Sequence, residues 1–267
     1  LADVHTDLIK SYLAQTWPQG GKLAEYTLTL WEEFKTYDID DLDHFINQLT
    51  NGFPEQFWQR LWEMQLGVYL NRIGHRTTSP AHGPDFKFVV NGLTVWVEAI
   101  SPAPRDIPPE WLEFPSPSGT SYQTPSDEML LRYTAAFANK VSKFRGYAEK
   151  GITAPGDACV IAISGRQLTN FWVDPYGGTR LPWSVEVVFP VGHLQCVFHR
   201  DRKPEWGRSE RHEILNKNGK PIPLYKFIMP EFAGISALVT CGGSVDLEYR
   251  LPLYVAHNPL ARIIHQG

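Results

Sequence analysis

Residues 85–100 read Asp-Phe-Lys-Phe-Val-Val-Asn-Gly-Leu-Thr-Val-Trp-Val-Glu-Ala-Ile, two alternating runs joined by Asn91-Gly92. Asn-Gly between such runs is the strongest short signal of a two-residue hairpin, because both residues tolerate the positive φ that the turn requires. That turn sets Val90 against Leu93. Pairing then runs outward through Val89 and Thr94, Phe88 and Val95, Lys87 and Trp96, Phe86 and Val97, to Asp85 and Glu98. The pleat puts Phe86, Phe88, Val90, Leu93, Val95 and Val97 on one wholly apolar face, the expected core side. Asp85 and Glu98 fall together on the other face, at the end of the ladder far from the turn.

Like charges directly opposed on paired strands have Cβ atoms about 4.5–5.5 Å apart and destabilise the sheet. Such a pair persists where both acids are solvated, where they share a proton, or where a cation sits between them. A hard divalent ion held by one or two carboxylates, with water completing its shell, suits the third case.

On the N-terminal side, Phe53-Pro54 opens a helix whose apolar stripe is Trp58, Trp62, Leu66, Tyr69 and Ile73, and Gly74 ends it. Glu63 lies at the margin of that stripe, beside Leu66 and Leu70, where an acid can reach the end of a neighbouring strand. Before it, residues 1–50 read as short helices, with apolar spacing at Leu8, Ile9, Tyr12 and Leu13 and around Leu28, Leu30, Trp31 and Phe34. Asn51-Gly52 breaks the chain, so residues 1–52 are expected as a helical extension and 53–267 as the main α/β domain.

On the C-terminal side, residues 101–127 carry seven prolines and read as a surface loop that borders any groove beside Glu98. A helix follows over about 127–149, with Leu130, Tyr133, Phe137, Val141, Phe144 and Ala148 as its apolar face. Lys140 stands at the border of that face and can lay its stem on the core while extending its ammonium. Arg132, Asn139 and Lys143 point away from it. Apolar runs at 159–163, 183–189, 194–198, 235–240 and 251–256 read as further strands, and no internal repeat is visible.

Composition limits the alternatives. With 43% hydrophobic and 20% charged residues the chain is globular, and no apolar run approaches the roughly 20 residues of a membrane span. No membrane partner is expected. The first residues lack the basic-then-apolar pattern of a secretory signal, and the absence of an initial Met suggests a trimmed terminus. Cys159, Cys196 and Cys241 are isolated among apolar neighbours, which fits buried thiols in a reducing, cytoplasmic setting. The net charge of −4 does not advertise a nucleic-acid partner, yet residues 200–226 hold eight Lys and Arg against four acids. That segment is either a local basic surface or a solvated loop. No Gly-rich phosphate loop, dinucleotide fingerprint, metalloprotease helix or zinc ligand set is present.

Glu63 on a helix, Gly83-Pro84-Asp85 entering a strand, and Val97-Glu98-Ala99-Ile100 ending the next resemble the PD-(D/E)XK nuclease superfamily over residues 54–145. The resemblance implies a restriction-endonuclease-like fold, a mixed sheet flanked by helices. It also implies Mg²⁺ or Mn²⁺ held by Asp85 and Glu98, with Glu63 as the helical acid. The family's lysine stands two residues after the second acid, where this chain has Ile100. Members exist in which a following helix supplies it, which matches Lys140; Lys87 is the rival. The implied activity is hydrolysis of phosphodiester bonds in DNA by an endonuclease of restriction, defence or repair type. An RNA-processing nuclease is a further reading. Ile100 favours a different class, a degenerate nuclease fold kept as a binding or interaction module.

Overall fold

A computed structural model describes residues 3–18, 21–112, 124–169, 176–241 and 253–261. Three helices come first: α1 (Val4–Thr16), α2 (Gly21–Phe34) and α3 (Leu42–Thr50), with a short strand β1 (Asp38–Ile39) between the last two. Asp3 caps α1 by accepting from the amides of His5 and Thr6, and Asp41 caps α3 through that of His44. Pro54 starts α4 (Pro54–Arg72) in the first turn, where its missing N–H would have had no helical partner.

The strands β2 (Thr78–Ser79), β3 (Phe86–Val90) and β4 (Leu93–Ile100) follow. The hairpin of β3 and β4 has the expected register at five of the six pairs, from Val90 with Leu93 to Phe86 with Val97, and the sixth, Asp85 with Glu98, lies just beyond the paired residues. Its turn residues sit at φ 50° (Asn91) and 80° (Gly92), the left-handed conformation that the Asn-Gly pair accepts. Next come a single turn of helix, α5 (Pro109–Leu112), the long α6 (Ser126–Glu149) and β5 (Ala158–Ser164). The rest comprises α7 (Trp183–Val188), a ribbon of β6 (Val191–Val197) with β7 (Glu205–Glu210), a smaller one of β8 (Glu213–Leu215) with β9 (Pro221–Pro223), and β10 (Ala237–Cys241) beside β11 (Leu253–His257).

The fold is α/β, built on one seven-stranded mixed sheet in the order β1-β2-β3-β4-β5-β10-β11. Pairing is parallel at β1–β2, β4–β5 and β5–β10 and antiparallel elsewhere. Helices cover both faces. On one, Trp31, Phe34, Phe57, Trp62, Phe86, Val97 and Ala99 form a core shared by α1–α4 and the hairpin. On the other, α6 and α7 bring Tyr133, Phe137, Phe144, Trp183 and Val187 against Trp96, Ile161 and Ile163. Each large side chain so buried contributes roughly 1.5–3 kcal/mol of transfer free energy.

Three expectations need correction. The segment at 183–189 is helix α7 (Trp183–Val188), not a strand: Trp183, Ser184, Glu186, Val187 and Val188 are buried, and Trp183 stacks on Tyr133 with ring centroids 5.1 Å apart. Packing there overrides the strand preference of the three valines. The stripe assigned to α4 is incomplete, since Phe57, Leu61, Met64 and Val68 are buried as well and Ile73 is 51% exposed. The helix lies between two layers, and a single stripe cannot describe it. Gly67 makes this possible, because a Cβ there would stand 2.8 Å from Phe34 and 3.1 Å from Phe86. Finally, the Pro-rich segment begins buried rather than at the surface. Ser101, Ala103 and Ile107 are in the interior, and Gln167 and Arg132 donate to the carbonyls of Ser101 and Ala103. Its residues 113–123, and residues 251–252 of the last apolar run, lie outside the described residues. Among the described residues no helix is long and apolar enough to cross a membrane.

Candidate active site

Glu98 points from β4 toward α6 and has no exposed surface. A carboxylate so placed needs partners, and α6 supplies three. The Lys140 ammonium donates to Oε2, Lys143 Nζ lies 3.4 Å from the same oxygen, and the Tyr147 hydroxyl donates to Oε1 at 2.7 Å. These residues follow helical spacing, so a single face of α6 meets the end of β4. Tyr147 has its phenol held well above its ordinary pKa, by burial first and then by the Glu98 charge.

Asp85 precedes the first paired residue of β3, after the left-handed Gly83 (φ 136°). Its Oδ2 accepts from the amide of Ala99 at 2.7 Å and lies 3.7 Å from Lys140 Nζ. The two acids expected side by side therefore share one ammonium. The solvated alternative fails for Glu98, which is wholly enclosed. Lys87 extends elsewhere: its ammonium lies 4.8 Å from the ring centroid of Trp96, its cross-strand partner.

Glu63 comes from α4, on the opposite layer, and is 4% exposed. Gln59 donates to its Oε1 at 2.7 Å, and the Arg60 guanidinium pairs with Oε2. Gln59 also donates to the Ala99 carbonyl at 3.1 Å and accepts from the Ser101 amide at 2.8 Å, tying α4 to the end of β4. Burial, and next the nearby Asp85 charge, raise the Glu63 pKa to about 7, outweighing Arg60 and Gln59. The same two causes raise that of Glu98 against Lys140 and Lys143. Burial disfavours the Lys140 ammonium, yet Asp85 and Glu98 together raise its pKa. All four predicted residues thus belong to one electrostatic cluster.

Gln59, Arg60 and Tyr147 were missed, and Lys143, expected to point away from Lys140, instead meets the same Glu98 oxygen. Helical spacing from Glu63 and Lys140 was the available signal: Gln59 and Arg60 stand four and three residues before the acid, and Lys143 and Tyr147 three and seven after the lysine.

Among the described residues no group of three His, Cys, Asp or Glu is placed to hold a metal ion. The pair Asp85 and Glu98 nevertheless fits a hard ion by type, since both offer only oxygen. Water supplies the remaining ligands of Mg²⁺ in many such sites. Lys140 occupies the position between the carboxylates that a cation would take.

The basic segment is not one open surface. Arg208 donates to the carbonyls of Thr179 and Gly192, Arg211 pairs with Asp127 at 2.7 Å, Lys217 pairs with Asp106 at 3.0 Å, and Lys226 is buried. Cys159 and Cys241 are buried free thiols, whereas Cys196 is only half-buried on the β6–β7 ribbon. No family model matches the chain, and neither a curated protein nor a solved structure is significantly similar to it.

Proposed function

We propose that this chain is a metal-dependent nuclease that hydrolyses phosphodiester bonds in DNA, on a restriction-endonuclease-like fold of the PD-(D/E)XK type. The observation that carries the reading is the meeting of Asp85, Glu98 and Lys140 at the end of one hairpin, with a single ammonium serving both acids. A mixed sheet with helices on both faces is in keeping with that fold. Asp85 and Glu98 would hold Mg²⁺ or Mn²⁺, which supplies Lewis acidity toward the phosphate and lowers the pKa of a bound water. Lys140, freed from neutralising two carboxylates, places its protons toward the charge that develops on the phosphate. Glu63, with a pKa of about 7, is matched to accept the proton of an attacking water near neutral pH.

A second reading, a degenerate nuclease fold acting as a binding module, is favoured by two observations. Ile100 occupies the usual lysine position, and Lys140, Lys143 and Tyr147 already satisfy Glu98 without an ion.

Metal titration followed by thermal unfolding tests the first reading. Mg²⁺ or Mn²⁺ at a hundredfold excess over its Kd should stabilise the wild type by about 2.7 kcal/mol and leave Asp85→Asn unchanged. Plasmid and single-stranded DNA should be cut in Mn²⁺ by the wild type and not by Lys140→Met. A wild type that takes up metal but cuts neither substrate supports the binding module. A wild type that shows no metal response and no cleavage removes the nuclease proposal.

A further inference from the structure

Beside the acid–lysine cluster a cleft of about 400 Å³ opens between α4 and α6, lined among others by Gln59, Ile100, Ser101, Arg105, Arg132 and Asn139. We infer that this cleft binds the phosphodiester backbone of the strand being cut, with Arg105 and Arg132 as its phosphate ligands, an inference that rests on the nuclease reading.

The cleft neighbours the site, although Glu63, Asp85, Glu98 and Lys140 do not themselves line it. Gln59 lines it and also holds Glu63, and Ile100 lies two residues beyond Glu98 on the same strand face. It also lies outside the carboxyl end of β4, where ligands of open α/β sheets bind. Arg132 is fixed there, since its Nε donates to the Ala103 carbonyl at 2.9 Å. Among the described residues its terminal amino groups have no acceptor, and they form the planar fork that suits phosphate. The Arg105 side chain is 71% exposed and, among the described residues, its ion-pair partner is the exposed Glu55, at 3.8 Å.

The two arginines oppose each other: burial first, and then the charge of Arg105, lowers the pKa of Arg132. Asp106 and Glu55, the latter also in the cleft lining, act in the opposite sense, so an incoming phosphate would compete with these carboxylates for the two guanidinium groups. Spacing agrees as well. Arg132 precedes Lys140 by eight residues of α6, or about 12 Å along the helix. Along a duplex axis, at about 3.4 Å of rise per nucleotide of one strand, this spans three to four steps, and on an extended single strand fewer, so a strand crossing Lys140 can carry a later phosphate to Arg132.

The test is fluorescence anisotropy of the full chain with a short labelled single-stranded DNA, with divalent ions chelated so that nothing is cut. Arg105→Gln and Arg132→Gln should each weaken binding about fivefold at 0.1 M salt and lower the salt slope by about 0.7. Arg132→Lys should recover part of the loss. Arg105 holds no buried group, so its variant keeps its melting temperature and the result remains interpretable. Unchanged affinity and slope in both variants overturn the inference, and so does a wild type that binds no DNA. Cleavage by the wild type with binding unaffected by either substitution would remove the cleft and leave the nuclease. Arginine-dependent binding with no cleavage in Mg²⁺ or Mn²⁺ would keep the cleft and remove the catalysis.

Discussion

Lys140 and Glu98 are each the reason the other tolerates burial. Removing one partner of a buried ion pair leaves an uncompensated charge, at a cost of roughly 3–5 kcal/mol. Lys140→Met and Glu98→Gln should each lose about that much in urea denaturation. The double variant should lose clearly less than the two together, and strict additivity would show that the pair does not act as a unit. Glu63 adds a pH dependence. Its folded pKa of about 7 stands above the ordinary 4.5, so between those values the native state holds the extra proton. Its contribution is therefore full below pH 4.5 and is lost as pH rises through 7. Without metal, Glu63→Gln should gain on the wild type between pH 5 and 8, by an amount on the order of 2–3 kcal/mol. A difference that is flat with pH would contradict the raised pKa. Glu63, Asp85, Glu98 and Lys140 were legible in the sequence because hairpin arithmetic and helical period place each side chain. Tyr147 and Lys143 were not: period alone sets them on a face, and only the end of β4 beneath α6 turns that face into a site.

At the scale of elements, the hairpin was legible because a turn chemistry determines it. Asn-Gly selects a two-residue reversal, the reversal sets the register out to Phe86 and Val97, and the next residues, Asp85 and Glu98, both reach Lys140. Gly92→Ala tests this step. The position has φ 80° and no atom within 4 Å of an added Cβ, so backbone strain is the sole penalty, about 1–2 kcal/mol. Equilibrium unfolding should show that loss with the metal response of the wild type retained. A much larger loss, or a silent metal site, would mean that the turn does more than reverse the chain. Helix α7 shows where the same approach fails. Its valines carry strand propensity, and the contact that decides against a strand, Trp183 on Tyr133, joins residues fifty positions apart in sequence.

For the whole molecule, the break at Asn51-Gly52 suggested an extension, and the packing ties that extension to the site. Trp31, Phe34 and Phe45 share a core with Phe57, Trp62 and Phe86, while β1 pairs with β2 in the central sheet. A path also runs from the first helices toward the acids. Arg60, which pairs with Glu63, donates through Nε to Gln48 of α3 at 2.9 Å, and its guanidinium lies 5.1 Å from the Phe45 ring centroid. Sequence period cannot reveal this, because the polar side of α4, Gln59, Arg60 and Glu63, is turned toward β4 and α3 and so marks no solvent boundary. A chain beginning at Phe53 would expose Phe57, Leu61 and Met64, now buried, to water. At roughly 1.5–3 kcal/mol for each of the three, the loss is of the same order as the 5–15 kcal/mol by which ordinary domains are stable. The shortened chain should therefore show no cooperative thermal transition and no near-UV circular dichroism. A sharp melt from such a chain would mean that the first fifty residues cover a core able to stand alone, and that Arg60 does not need α3 to reach Glu63.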